Sequence, residues 1–223
     1  MAHPVADIHL TSTQFAAARI RDGIATGKYA PGVKLWQDRI AKELSISRIP
    51  VREALCTLAS EGLVTLLPNR GAMVPELSSD ELEELYALGA TLESMAAKRA
   101  VSRLGAHDLK KMKRLLDEMR DSHDKPESWY ALNREFHSCL LDASGWPRVV
   151  ELVHAARRSL GRYLYISTQP VFKTSVREWD RQHLELYRAC AVGDGRKVAN
   201  LIQSHWRWTN GVLADLLKGR ASR

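Results

Sequence analysis

Three histidines in the second half of the sequence have the chemistry of metal ligands. His137, His183 and His205 each lie among apolar residues at helical spacing, which predicts that three helices point an imidazole inward. Asn133 precedes His137 by one helical turn and offers an oxygen on the same side. Such a donor set suits Zn²⁺, Ni²⁺ or Mn²⁺. A histidine on an apolar face is also commonly a hydrogen-bonded core residue, and spacing alone leaves both interpretations open.

A second group of residues has the chemistry of nucleic-acid contacts. Two arginines lie one turn apart on a predicted helix, and a third lies at the tip of a predicted hairpin. Arginine can bind a guanine edge or a phosphate through two parallel hydrogen bonds. The alternative is that these arginines are ordinary surface charges paired with nearby glutamates. The candidate DNA-contacting residues are Ser47, Arg48, Arg52, Arg70 and Gly71.

The elements around those arginines predict a winged helix-turn-helix. A capping box, Thr11-x-x-Gln14, starts a first helix that ends near Gly27. Two further helices are predicted over 37–44 and 48–61, and Ser47 is placed to cap the latter. Two short apolar runs about a turn then predict a β-hairpin over 63–67 and 72–74. In such a module the last helix enters the major groove of DNA.

The rest of the chain shows only helical patterns. Ser78-x-x-Glu81 is a second capping box, and Asp194 is placed to cap the last helix. The sequence therefore predicts a mainly α protein with a DNA-binding domain over 8–76 and a six-helix bundle over 77–223. The six helices are predicted over 79–104, 107–122, 128–143, 147–168, 172–192 and 195–218.

The composition of the chain is consistent with a globular protein that binds an acidic partner. The 223 residues are 45% hydrophobic and have a net charge of +7, which is consistent with either a nucleic-acid or an anionic-membrane partner. The longest uncharged run, 8–18, is too short to cross a membrane, and the first residues do not resemble a secretory signal. The three cysteines, Cys56, Cys139 and Cys190, form no Cys-x-x-Cys pair, so we expect free thiols and a cytoplasmic location.

The segment from Ser47 to Leu55 (SRIPVREAL), followed by EGLV at 61–64 and Asn69-Arg70-Gly71, closely resembles the signature of GntR-type bacterial transcription regulators. The upstream G-x-Y-x-P-G-x-x-L at 27–35 is similar to that family too. The resemblance implies that the arginines of the third helix are the main DNA contacts, with the serine before them and the wing in support.

The helical part resembles the FCD ligand-binding domain of the FadR-like branch of that family. The resemblance rests on N-x-x-F-H at 133–137, A-S-G at 143–145, His183, the A-x-G-D segment at 191–194 and His205. In its number of helices, six and not seven, the domain resembles the VanR-type subgroup. In metal-binding members an aspartate lies four residues before the first histidine; Asn133 stands there in this chain, which implies a weaker metal site.

One departure from the FCD pattern concerns effector binding. Gly89 stands where many members have an arginine, four residues before a glutamate that is Glu93 here. If that arginine binds the effector carboxylate in relatives, Arg134, Arg162 or the metal must replace it in this protein.

The leading functional prediction is a homodimeric, ligand-responsive transcription regulator. It would bind an inverted repeat in double-stranded DNA and respond to a small organic acid, with no membrane partner. One alternative is a helical metalloenzyme that uses the three histidines, although the sequence has no HExxH or Gly-x-Ser-x-Gly motif. The other is a DNA-binding dimer without an effector.

Overall fold

The computed structural model describes residues 11–26, 28–68, 71–76, 78–166 and 168–221, excepting the side chains of 25, 161–171 and 216–221. The chain divides into two compact units at the boundary between residues 77 and 78. The first is the winged helix-turn-helix and the second is entirely helical in its described part. No helix in the described part of the chain is both long and apolar enough to cross a membrane.

The described residues of the first unit form three helices and a small sheet. The predicted capping box is present, because Thr11 accepts from the backbone N–H of Gln14 while the Gln14 side chain accepts from Thr11. The elements are α1 (Ser12–Ala25), β1 (Lys34–Leu35), α2 (Gln37–Leu44), α3 (Arg48–Ser60), β2 (Thr65–Leu67) and β3 (Gly71–Met73).

The turn between α2 and α3 fixes the helix-turn-helix. Ser45 ends α2 in the left-handed region at φ 55°, and Ile46 donates its N–H to the carbonyl of Ala41. The buried residues Val51 and Leu55 attach α3 to the core, as the apolar spacing predicts. These contacts leave the opposite side of α3 in solvent.

The wing differs from the predicted hairpin by one strand. β2 and β3 pair antiparallel, and β3 also pairs with β1, which gives the order β1-β3-β2. Strand β1 is not predicted from the sequence, because a two-residue strand has no periodicity of its own. Gly71 has φ +105°, and a Cβ there would lie 2.2 Å from the carbonyl oxygen of Leu35. Glycine is therefore required for β1 to approach β3.

The second unit consists of six α-helices in its described residues, as predicted. Ser78 caps α4 by accepting from the N–H of Glu81, and Asp194 caps α9 by accepting from Lys197. A 3₁₀ turn, Val101–Arg103, replaces the predicted last turn of α4. The helices are α4 (Ser79–Ala100), α5 (Ala106–Arg120), α6 (Pro126–Ala143), α7 (Pro147–Ile166), α8 (Thr168–Ala191) and α9 (Gly195–Ala221).

One predicted break is misplaced. The sequence predicts that Gln169-Pro170 separates α7 from α8 and that α8 starts at 172, but α8 already begins at Thr168. Pro170 therefore lies in the first turn of α8, where its missing N–H breaks no helical hydrogen bond.

Helix α4 forms the centre of the second unit, where it packs most extensively against α9 and next against α7. Small residues allow this close approach: Ala96, Ala97 and Ala100 are fully buried. A Cβ on Gly89 would lie 2.2 Å from the Trp206 ring of α9. Gly89, which stands where many FCD domains are expected to have an arginine, therefore leaves space for the Trp206 indole.

Candidate functional site

The three predicted histidines converge in the second unit. His137 comes from α6, His183 from α8 and His205 from α9, and one ligand atom from each lies within 4.8 Å of the others. The ring centroids are 4.9–5.4 Å apart. Spacing alone had left open whether these side chains meet, and the packing of the three helices brings them together.

Hydrogen bonds on the outer side of two rings orient their inner nitrogens. Nδ1 of His137 lies 2.8 Å from a carboxylate oxygen of Glu93, and Nδ1 of His205 lies 2.8 Å from the amide oxygen of Gln182. Because both oxygens only accept, each Nδ1 must donate, and Nε2 keeps its lone pair. Nε2 of His137 faces Nε2 of His183 at 3.1 Å. Imidazoles held this way are suited to bind one ion through Nε2.

The surroundings keep these imidazoles neutral, as metal ligation requires. Burial lowers the pKa of His137, the guanidinium of Arg157 lowers it further, and the Glu93 carboxylate opposes both. Burial, followed by the neighbouring histidines, places the pKa of His183 and His205 well below the usual value. Lone pairs are therefore available around neutral pH.

Asn133 adds a side-chain oxygen to this region. Its Oδ1 is buried and has no hydrogen-bond partner among the residues that the structure describes. A buried polar atom without a partner costs free energy unless something else binds it. The three imidazoles therefore fit a divalent ion, and Asn133, which lines the same cavity as His205, offers a fourth neutral donor.

A buried carboxylate that the sequence analysis did not select supports this cluster. Glu93 is fully buried; Arg157 donates to it through Nε and Nη2 at 2.9 and 2.7 Å, and Trp206 donates through Nε1 at 2.9 Å. Burial raises the pKa of Glu93, but Arg157 and His137 outweigh it and hold that pKa well below its usual range. The position of Glu93 on the buried side of α4 is the signal that could have identified it.

A cavity of about 150 Å³ adjoins the histidine cluster at His205. Arg134, Arg157, His205 and Asn133 line it, so three of the residues expected to contact an effector or a metal, Arg134, Asn133 and His205, share one space. The Arg162 side chain, also considered for the effector, lies outside the described residues. Aromatic rings form much of the remaining wall: Tyr86, Trp129, Tyr130, Trp179 and Trp206.

The candidate DNA-contacting residues of the first unit lie on the solvent side of α3. Ser47, Arg48 and Arg52 are all exposed. Ser47 occupies the N-cap position, but the prediction that its side chain caps α3 is wrong, because it makes no capping hydrogen bond. Its hydroxyl and the N–H groups of the first turn are therefore available to an anion such as phosphate.

The arginines of α3 do not pair with the glutamates that the alternative interpretation suggested. Glu53 accepts from Thr13, and Glu61 forms a two-bond pair with Arg21. Arg48 instead pairs with Asp38 of α2 at 2.7 Å, where both side chains are about two-thirds exposed. Arg52 has no ion-pair partner among the described residues. An exposed pair of this kind contributes little stability, so both guanidinium groups can bind another anion.

Of the two predicted wing contacts, only Gly71 lies in the described part of the structure. Arg70 lies outside the described residues, so its contact with DNA stays a prediction. Gly71 is buried against Leu35, and its conformation is explained by the sheet. A role for Gly71 at DNA likewise stays a prediction.

Known protein families match both units. Residues 12–74 match the bacterial regulatory proteins of the gntR family, and residues 84–207 match the FCD domain. The chain is 28% identical to the HTH-type transcriptional regulator McbR of Escherichia coli K12 over 184 residues, which is 80% of each chain. It is 33% identical to an HTH-type transcriptional regulator in the TAR-I ttuE-ttuC' intergenic region of Agrobacterium vitis, covering 55% of this chain and 74% of the relative.

Solved structures share the fold. Escherichia coli McbR/YncC has a TM-score of 0.71 at 23% identity, covering 94% of this chain and all of that one. A GntR regulator from Rhodococcus sp. RHA1 has a TM-score of 0.67 at 22% identity, covering 90% and 96%. The matched families and named relatives are transcription regulators, as the sequence analysis predicted, and not enzymes. The chain therefore belongs to the GntR family of bacterial DNA-binding transcription regulators, in which the helix-turn-helix domain is followed by an FCD domain.

Proposed function

We propose that this protein is an effector-responsive transcription regulator that acts in the cytoplasm as a homodimer on an inverted-repeat operator. A small organic acid enters the cavity of the helical domain, and a divalent ion at the three histidines helps to bind it. The observation that carries this proposal is the convergence of His137, His183 and His205 beside a cavity that also contains two arginines. The six helices of the second unit favour the VanR-type subgroup.

The metal part of the proposal rests on the donors and their supports. His137 and His205 are oriented through Nδ1, and Asn133 contributes an oxygen without another partner. When bound, a Zn²⁺, Ni²⁺ or Mn²⁺ ion with open coordination positions supplies a site for a carboxylate. Arg134 lines the same cavity and adds a positive charge that attracts an acid, whereas the charge of Arg157 is paired with Glu93.

The DNA part rests on α3. Arg48 and Arg52 are exposed one turn apart, and Arg52 has no competing ion pair in the described chain. One such helix contacts only a few base pairs, so two copies related by a twofold axis are needed for useful specificity. An inverted repeat is the operator that such a dimer would bind.

The metal is tested by elemental analysis and calorimetry on the wild type, His137→Ala and His183→Ala. The control is His107→Ala, which removes an imidazole that is 90% exposed and distant in sequence from the cluster. We expect the wild type and the control to bind a divalent ion and the two cluster variants to lose most of that affinity. If the wild type binds no divalent ion at micromolar concentration, or if all variants bind it equally well, the three histidines are core residues and not metal ligands.

Operator binding is tested by quantitative gel shift at fixed salt. We expect Arg52→Ala to weaken specific binding by about 1–3 kcal/mol and Arg48→Ala to act in the same direction. Arg114→Ala is the control, because Arg114 lies on α5 in the helical unit and pairs with Glu118. Unchanged specific affinity in both α3 variants would refute the DNA-contact assignment. If operator affinity depends on Arg52 but no acid changes it, the protein is a DNA-binding dimer without an effector.

A further inference from the structure

The wall of the cavity is unusually aromatic. Among the residues that the structure describes, eleven line the cavity and five of these are tyrosine or tryptophan, whereas aromatic residues make up 7% of the chain. Tyr86 and Trp206 contact each other edge to face at 5.4 Å, and Trp129 lies 5.3–5.4 Å from the rings of Tyr130 and Trp179. Two groups of rings from different helices therefore border the same space. Aromatic rings favour offset and edge-to-face contacts, which a flat ligand ring can extend.

The volume of the cavity limits the ligand. A space of about 150 Å³ is present. An apolar cavity of about that size in another protein holds one benzene molecule. The space therefore matches one six-membered ring with small substituents.

A charged group at the edge of the cavity supplies a partner for a carboxylate. Arg134 lines the cavity, is exposed, and has no ion-pair partner among the described residues. Arg157, by contrast, is already bound to Glu93 and lies over the Trp206 ring at 5.0 Å. Arg134 is therefore the arginine that is available to a ligand anion.

Two buried hydroxyl groups supply a partner for a second polar group. The Oη atoms of Tyr86 and Tyr130 are buried and make no hydrogen bond with any described residue. Burial raises the pKa of both tyrosines, so their hydroxyls remain protonated and can donate. A buried donor without a partner favours a ligand that brings an acceptor oxygen.

We infer that the effector is a monocyclic aromatic carboxylate with an oxygen substituent on its ring. Its carboxylate faces Arg134, its ring packs among the tryptophans, and its second oxygen accepts from Tyr130 or Tyr86. This inference rests on the proposed effector function and narrows the ligand from small organic acids in general to one class.

The inference is tested by calorimetry on the full chain with five probes. These are 3- and 4-hydroxybenzoate, benzoate, cyclohexanecarboxylate and benzyl alcohol. We expect the tighter-binding of the two hydroxybenzoates to bind at least tenfold more tightly than cyclohexanecarboxylate, which lacks the aromatic ring, and than benzyl alcohol, which lacks the carboxylate charge. Tyr130→Phe and Tyr86→Phe keep both rings, and we expect one of them to weaken that hydroxybenzoate about fivefold while benzoate binding stays unchanged, the effect of one hydrogen bond.

A ring variant and its control test the aromatic wall. Trp179→Leu removes one ring from the cavity and should weaken benzoate more than tenfold. Trp146→Leu is the control, because Trp146 lies over Arg99 and does not line the cavity. Equal loss in both variants, or cyclohexanecarboxylate binding as tightly as benzoate, would overturn the aromatic part of the inference. Unchanged hydroxybenzoate binding in both phenylalanine variants would overturn the hydroxyl part.

Lactate, used as a further probe, distinguishes an error in this inference from an error in the proposed function. If lactate binds and changes operator affinity while the aromatic acids do not, the ligand class is wrong and the effector function stands. If neither lactate nor any aromatic acid binds or changes operator affinity, the aromatic inference is refuted and the effector proposal loses its support as well.

Discussion

Replacing Glu93 with glutamine removes a negative charge from the interior of the helical unit and keeps the shape of the side chain. Three neighbours donate to this carboxylate: Nδ1 of His137, the guanidinium of Arg157 and Nε1 of Trp206. An amide has one oxygen and one NH₂ group. In Glu93→Gln the NH₂ group therefore faces another hydrogen-bond donor, and one hydrogen bond is lost. It also leaves the Arg157 charge without its counter-ion.

The expected cost follows from burial. Removing one partner of a buried ion pair costs about 3–5 kcal/mol. The Arg157 side chain is 15% exposed and can recruit water, so we expect the lower end, about 3 kcal/mol. For a chain of this size each kcal/mol shifts Tm by about 2–4 °C, which gives a decrease of about 6–12 °C.

Thermal denaturation followed by tryptophan fluorescence is the assay, because five of the six tryptophans lie in the helical unit. The control, Glu118→Gln, breaks an exposed i,i+4 pair with Arg114 and should change stability by less than about 0.5 kcal/mol. The same Glu93→Gln protein should bind a divalent ion about 10- to 100-fold more weakly, since His137 loses its anionic support. A Tm within 2 °C of the control would refute the reasoning about the buried carboxylate.

Four further predictions concern other parts of the molecule. Gly89→Ala places a Cβ 2.2 Å from Trp206 and should destabilise the helical unit by about 1–3 kcal/mol in thermal denaturation; an unchanged Tm would contradict this packing. Asn133→Asp should raise divalent-metal affinity in calorimetry, because an anionic ligand adds charge attraction, and equal affinity would argue against a ligand role. Burial raises the pKa of Cys190 to about 12, so at pH 8 about 10⁻⁴ of it is thiolate. Mass spectrometry after iodoacetamide should find the exposed Cys56 modified first, with Cys190 labelling increasing as pH rises towards 12; rapid labelling of Cys190 at pH 8 would show that it is not buried. Sedimentation equilibrium should give a dimer of 25.1-kDa chains, and a monomer both free and with operator would count against the twofold assembly.

Local patterns determined most of the helices. The capping box at Thr11 and Gln14, the cap at Ser78 and the apolar spacing of α3 each depend on residues within a few positions of one another. Such signals act before the chain folds, so the sequence contains them in full. The position of Pro170 shows their limit, because a proline ends a helix or lies in its first turn equally well, and the α7–α8 boundary was misplaced for that reason.

The histidines illustrate the division between sequence and tertiary structure. The sequence by itself determined that His137, His183 and His205 lie on the inner sides of three helices, because helical periodicity fixes which side of a helix a residue occupies. Whether they meet depends on how those helices cross, which no local pattern contains. Only the tertiary structure decided that they converge, that Glu93 and Arg157 pair behind them, and that β1 joins the wing. These contacts join residues far apart in the chain, so they exist only once the whole core has packed.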